Sequence, residues 1–422
     1  MWVSRWASLA LVAIAACVAI GAAAPEPVSR QLAELHDYEG PLALIHADLL
    51  SMDHGATIER DRTVLLRDGR IVAVGRTEEV TPPSDARVVD VRGLYVMPGL
   101  ADMHVHLQRE HVAAFLRHGI TTVRDLWGHA GIVDLRSESR DGGRVPWVVA
   151  TGPGIDGSPP VRPTSAVLDR PEDAAGLVDE LTDQGWDAFK IYQNLRLDAF
   201  LALARAATAV DVGLVGHVPT DVPLSEALGR MRSIEHLEGY DKALSGQRER
   251  AFRSWTSVDP GQMPLWARRT ADAGTWNVPT LIVMRKALTN NTDPKEAARA
   301  ITNARLMVRH LHDAGAPLMA GTDAGVPVIE PGSSLHEELI ELIAAGLSPY
   351  DALAAATVNP ARFLGLEGKV GGVKVGARAD LLLLKANPLE DIQTARSPAG
   401  VVLRGRMLIP GHIRPAVDRR PG

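Results

Sequence analysis

The sequence predicts an α/β fold, a (β/α)8 TIM-like barrel with a small β-sandwich domain built from both chain ends. Three observations predict it. Two β-rich ends flank a middle of different character. In that middle, strand-like runs alternate with helix-period segments. The residues best suited to chemistry fall at the ends of those runs, where a (β/α)8 barrel collects its active-site side chains.

The chain has 422 residues, room for a large barrel and a small companion domain. It is 46% hydrophobic and 23% charged, as an ordinary globular protein is. A net charge of −6 argues against a nucleic-acid binder, which would show a basic balance. Residues 1–24 read as a secretory signal peptide: Arg5, then an apolar run, then small residues before Pro25. Cleavage is expected within Gly21–Ala24. The run is too short and too poorly flanked for a stable membrane span. Ile14-Ala15-Ala16-Cys17 also resembles a bacterial lipobox, in which case Cys17 would carry lipid. The expectation is export, periplasmic or secreted, with a lipoprotein as the alternative. Cys17 is the only cysteine, so the mature chain has no disulfide and no cysteine nucleophile.

Residues 40–96 form the first part of the small β domain. ALIHADLLSM, RTVLLRDGRIVAVG and ARVVDVRGLYVM alternate apolar and polar residues, with Asp68-Gly69 as a hairpin turn. Residues 361–415 supply the second part, through VGGVKVGARADLLLL and AGVVLRGRMLI. Between them, residues 97–360 form the barrel. Its strands are the run into MHVH, then GITTVRD, VPWVVATG, WDAFKIY, DVGLVGHV, MRSIEHL, WNVPTLIV and APLMAGTDAG. Helix-period segments between them include PEDAAGLVDELTDQG, RLDAFLALARAATAV and PKEAARAITNARLMVRHLHDAG.

Chemistry concentrates at the strand ends. His104 and His106 close the first strand; residues i and i+2 share a face, so the two imidazoles aim in parallel. His217 ends the fifth strand, His236 the sixth and Asp323 the eighth. Imidazole is the commonest metal-ligating side chain. Any one of these as a lone residue reads as a satisfied structural histidine or aspartate; together at one barrel mouth they read as a metal site.

Lys190 lies in the fourth strand among Ala188, Phe189 and Ile191. A buried ammonium there is costly unless paired, and its pKa falls. One reading is a salt bridge to Asp323. The sharper one is that the neutral amine takes up CO2 and becomes a carbamate, an anion able to bridge two divalent ions.

MPGLADMHVH, GITTVRD, SIEHL, GTDAG and the closing VGGVKVGARADLLLL together resemble the amidohydrolase superfamily. The resemblance is to its binuclear-metal, carboxylated-lysine branch, near the imidazolonepropionase-related and Xaa-Pro dipeptidase-like members. It covers nearly the whole chain after the signal segment. It implies one metal held by His104, His106 and Asp323, and a more exposed one held by His217 and His236. Carboxylated Lys190 and a hydroxide would bridge them. Zinc is the first choice, with manganese or cobalt as substitutes. Asp323 would act as general base, then acid. Lys190 is followed by Tyr192-Gln193-Asn194, where the prolidase-like members carry Ser-Gly-Gly, a departure that bears on substrate. A deaminase of the mononuclear kind offers a glutamate three residues after the fifth-strand histidine; here that position is Thr220. This favours hydrolysis of an amide, peptide or lactone-like bond.

Further residues have two readings each. Tyr192, two beyond Lys190, shares its face and would hydrogen-bond a tetrahedral intermediate, or else fills the barrel top. Tyr240, four beyond His236, is a similar catalytic candidate. His336 faces the mouth or a helix surface. Arg124 meets a substrate carboxylate or forms an Arg–Asp tie with Asp125. The loop PGIDGSPPVRPTSAV covers the mouth, bringing Arg162 to an anionic substrate, or is a plain surface loop.

The sequence therefore points to an exported metal-dependent hydrolase of carbon–nitrogen bonds in a small amide, such as an Xaa-Pro-like dipeptide or N-acyl amino acid. The alternatives are a lactonase or esterase on the same barrel and a non-catalytic exported binding protein. No nucleic-acid partner is expected, no membrane association unless Cys17 is lipidated, and homo-oligomerisation is left open.

Overall fold

A computed structural model describes residues 28–246 and 250–415. The signal-peptide reading and the fate of Cys17 lie outside the described residues. The N-terminal part supplies β1 (Leu42–Leu49), β2 (Glu59–Arg67), β3 (Arg70–Arg76), β4 (Arg87–Asp90) and β5 (Tyr95–Pro98). The middle supplies β6 (Leu100–Val105), β7 (Ile120–Asp125), β8 (Trp147–Ala150), β9 (Ile155–Asp156), β10 (Ala166–Val167), β11 (Phe189–Ile191), β12 (Leu214–Gly216), β13 (Met231–Glu235) and β14 (Trp276–Val278). The C-terminal part supplies β15 (Leu381–Leu384), β16 (Gly400–Leu403) and β17 (Arg406–Leu408).

Strands from both ends join one eight-stranded sheet, ordered β17-β16-β15-β5-β1-β2-β3 with β4 beside β1. The β2–β3 turn is the expected Asp68-Gly69, with φ of 51° and 73°, the left-handed pair that matches strand twist. Four leucines in a row make β15 because it is covered on both faces. Leu382 and Leu384 join the large central core, while Leu381 and Leu383 join a second core within the sheet. In β5 and β16, Met97 and Val401 face the central core, and Val96 and Val402 the other.

The middle is α/β with parallel sheets. β6-β7-β8 form one and β10-β9-β11-β12-β13-β14 the other. Parallel bridges connect Thr151 to Ala188, Asn277 to Leu318 and Val105 to Ala324. Helices cover these strands with apolar stripes. Leu197–Ala209 buries Ala199, Phe200, Leu203 and Ala207; Pro294–Asp313 buries Ala297, Ala300, Ala304, Met307, Val308 and Leu311. The latter starts at Asp293, whose carboxylate accepts from Lys295 N at 2.9 Å. All three helices expected from the sequence form.

The eighth expected strand, APLMAGTDAG, is not a regular strand. It is an extended segment with bridges only at Leu318 and Ala324. Its amides alternate between partners on three elements: Met319 N bonds Asn277 O, Ala320 N bonds Ala355 O, and Asp323 N bonds His104 O. Asp323 itself has a φ of 63°, which breaks the ladder where the site is built.

Candidate metal centre

The site begins with β6. Its six residues are all buried, and His104 and the residue after Val105, His106, project toward the irregular segment around Asp323. The glycines there are required by space. A Cβ on Gly321 would lie 2.8 Å from His104 N, and one on Gly325 would lie 2.2 Å from His106 O. Asp102 holds the turn by accepting Thr322 Oγ1–H at 2.7 Å; burial pushes its own pKa to about 7. Asp323 Oδ1 then lies 3.3 Å from His104 Nε2 and 2.9 Å from His106 Nε2.

That geometry fits a cation. Glu235 Oε2 accepts from His104 Nδ1–H at 2.9 Å, which leaves a lone pair on Nε2. Two acceptors, Nε2 and Asp323 Oδ1, thus face each other while buried and without a hydrogen-bond partner. Ligand atoms of His104, His106 and Asp323 all lie within 4.8 Å of one another. Such a donor set of two imidazoles and a carboxylate suits a divalent metal. For Asp323, burial opposes ionisation, but His104 and His106, when they carry protons toward it, hold the carboxyl well below the usual range, and a bound cation would take the place of those protons.

Glu235 is itself secured. Burial works against its charge, but Arg124 at 2.8 Å and the His104 hydrogen bond keep it ionised. Arg124 also donates to Ser233 Oγ (3.0 Å) and Met103 O (2.7 Å). It is therefore a tie between strands, as one of its two readings had it, but the carboxylate is Glu235 rather than Asp125. Asp125 instead accepts from Leu107 N and Trp127 N.

Lys190 is buried on β11, paired in register with Val215. Burial lowers its pKa to about 8, against the pull of Glu235, Asp323 and Glu238. Gly216 makes room for it: a Cβ there would lie 2.8 Å from Lys190 Cδ and 2.5 Å from Ile191 O. His217 and His236 follow β12 and β13 directly. The His236 ring centroid lies 4.5 Å from that of His104 and 5.0 Å from that of His217. His236 Nδ1 is 2.6 Å from Thr280 Oγ1, and burial lowers its pKa well below the usual imidazole range. Thr280 heads a helix, Leu281–Asn291, whose first amides donate to Glu338 at 3.0 and 2.8 Å. The fold thus gathers His104, His106, His217, His236 and Asp323 around one site, with Lys190 on the strand between.

A cavity of about 730 Å³ opens on this site, lined by His217, His236, Asp323, Glu238, Phe252 and Trp255 among others. Tyr192 packs against His217, ring centroids 4.6 Å apart. Arg162 donates to the Tyr192 hydroxyl at 3.4 Å and lies 5.0 Å over the Trp127 ring. The loop carrying it is not wholly irregular, since β9 and β10 pair within it. Tyr240 requires a correction. It is fully buried and hydrogen-bonded to Thr270 Oγ1 at 2.8 Å, in the core rather than at the mouth. Leu237 (φ 53°) and Gly239 (φ 86°) turn the chain between His236 and Tyr240, so spacing of four does not share a face.

His336 also differs from both expectations. It is buried, and its Nε2–H donates to His118 O at 2.9 Å. Burial lowers its pKa to about 3, from 6.5. The unfolded chain takes the proton first as pH falls, so folding loses about 1.4 kcal/mol per pH unit between those values. In urea unfolding from pH 6 to pH 4, His336→Gln is expected to flatten the pH slope by one proton. An unchanged slope would contradict the assignment.

Sequence reasoning missed Glu235 and Glu238. Glu238 Oε2 stands 2.8 Å from His217 Nδ1. The available signals were a carboxylate inside the apolar run SIEHL and another two residues after His236.

Residues 95–408 match the amidohydrolase family. An imidazolonepropionase of Symbiobacterium thermophilum is 28% identical over 407 residues, covering 81% of this chain and 89% of that protein. The structure of bottromycin amidohydrolase is 27% identical with a TM-score of 0.72, covering 92% of each chain. A Xaa-Pro dipeptidase structure with bound methionine, 21% identical, shares the fold with a TM-score of 0.70 over 88% of this chain and 100% of that one.

Proposed function

The chain belongs to the amidohydrolase family and is a hydrolase of carbon–nitrogen bonds, and from that premise we propose that it cleaves the amide of a small dipeptide or N-acyl amino acid at a binuclear metal centre. The observation that carries the reading is the pair of buried, partnerless acceptors on His104 and Asp323. His104, His106 and Asp323 would hold one divalent ion, zinc first, and His217 and His236 a second, with Lys190 as its carbamate between them. When bound, such ions polarise a carbonyl and lower the pKa of water to near neutrality.

The side chains supply the rest. Glu235 fixes the His104 tautomer through Nδ1, and Arg124 keeps Glu235 charged. Asp323, held ionised, takes a proton from the attacking water and returns it to the leaving amine. Tyr192, beside His217, donates its hydroxyl proton in a hydrogen bond to the developing oxyanion. The aromatic and apolar lining of the cavity receives the uncharged part of the substrate.

The same reading takes the parallel strands as a closed (β/α)8 barrel over about residues 97–360. The bridges Thr151–Ala188, Asn277–Leu318 and Val105–Ala324 support closure, since they link the end of β8 to the start of β11 and, through the segment from Leu318 to Ala324, β14 to β6. It takes residues 40–96 and 361–415 as one small β-sandwich domain, supported by their shared sheet and separate core. It places the protein outside the cytoplasm. Among the described residues, no helix is long and apolar enough to cross a membrane.

The test is amine release from a library of dipeptides and N-acyl amino acids by zinc-loaded protein lacking residues 1–24. Turnover of one subset is expected. Silence on every amide, with turnover of lactones or esters, would overturn the proposed bond.

A further inference from the structure

The metal centre borders two cavities. Beside the large one lies a smaller one of about 240 Å³, lined by His106, Gln108, Trp127, His129, Arg162 and Val326 among others. Val326 lines both, so they meet at the segment that follows Asp323. Their charges differ. Among the described residues, the large cavity carries Glu238, Asp241 and Asp323 and no lysine or arginine. The small one carries Arg162 and two histidines, and no carboxylate.

Arg162 is exposed, but its loop is built to hold it. Asp156, buried at the end of β9, accepts from Val161 N at 2.8 Å and from Asn194 N. Asn194 Nδ2 donates to Pro159 O at 2.8 Å, and Trp127 Nε1 donates to Thr164 Oγ1 at 3.1 Å. The chain is thus fixed on either side of Arg162. The guanidinium rests over the Trp127 ring, with Nε toward the Tyr192 hydroxyl. Its two Nη groups have no hydrogen-bond or ion-pair partner among the described residues. A planar guanidinium oriented by an aromatic face, with both Nη groups unengaged, is matched to a carboxylate bidentately.

The orientation of a substrate follows from the amide reading proposed above, on which this inference rests. There Asp323 returns a proton to the leaving amine. Asp323 Oδ1 is 2.9 Å from His106 Nε2, and His106 borders the small cavity. In an amino-acid leaving group the α-carboxylate carbon is only two bonds from that nitrogen, so it stays on the His106 side. The acyl half then extends into the large cavity, where a carboxylate would instead face Glu238 and Asp241.

We propose that Arg162 determines specificity for the amine half of the substrate: it binds the free α-carboxylate of an amino-acid leaving group in the small cavity. The enzyme therefore selects amides that end in a free carboxylate over their neutral counterparts.

The experiment compares kcat/KM of the zinc-loaded mature chain for its best-cleaved dipeptide and for the same dipeptide with a C-terminal carboxamide. Wild type is expected to prefer the free acid by at least about tenfold, the value of one charge-assisted hydrogen bond. Arg162→Gln is expected to lower that preference by at least about tenfold. Arg162→Lys, which keeps the charge but loses the fork, is expected to lower it less. A disturbance of Tyr192 alone falls on both substrates and leaves the preference unchanged; that result overturns the proposal, as does equal turnover of acid and amide by wild type. If no amide is cleaved, the bond assignment fails, and the subsite is read by calorimetric titration with N-acetyl-L-proline and N-acetyl-L-prolinamide. Tighter binding of the acid that is lost in Arg162→Gln upholds the subsite without the reaction. Equal binding, binding of neither, or a preference that survives the substitution overturns it.

Discussion

Asp323→Asn is expected to lower kcat by about 10²–10⁴-fold or more while the fold stays intact. In the proposed reaction the carboxylate does two things: it completes the set with His104 and His106, and it carries a proton from water to the leaving amine. Its ionised form is available at neutral pH because the two histidines outweigh the cost of burial. Asparagine keeps the shape and tolerates the left-handed φ of 63°, so the loss should read on catalysis rather than on folding. Steady-state kinetics with circular dichroism checks this. A kcat within about threefold of wild type would remove Asp323 from the mechanism.

Lys190→Ala is expected to lose the metal pair and at least about 10³ in kcat, because the several kcal/mol that metal activation supplies go with it. The substitution separates two roles for Lys190. As an ammonium balancing Glu235, Asp323 and Glu238, its removal would cost stability but leave metal content unchanged. As a carbamate, its removal takes out a shared ligand and metal content falls. Burial brings the amine to about 8, which leaves a usable neutral fraction for reaction with CO2. Elemental analysis alongside kinetics decides between the two. Full metal content with retained turnover would end the carbamate account.

The residues that converge on the site were legible because strand ends are. A histidine closing an apolar run is visible at His104, His217 and His236, and parallel strands bring such ends together without any local signal of contact. What lies behind those histidines was hidden. Glu235 ends β13 after Ser233 and Ile234, and all three are buried, so the alternation that separates inside from outside was missing there. Tyr240 was misplaced because left-handed residues after His236 interrupt the regular spacing on which the expectation relied. The segment around Asp323 reads as a strand through Met319 and Ala320, but the glycines that admit His104 and His106 also end its regular pairing. His336 shows the converse: one polar residue in a helix is compatible with mouth, surface or core, and only the neighbouring His118 carbonyl decides.

The most direct measurement is amide turnover by metal-free mature protein as divalent metal is added back, with metal content determined at each point. The account predicts negligible turnover without metal and a rise that levels off at two ions per chain. Undiminished turnover by the metal-free protein would contradict it.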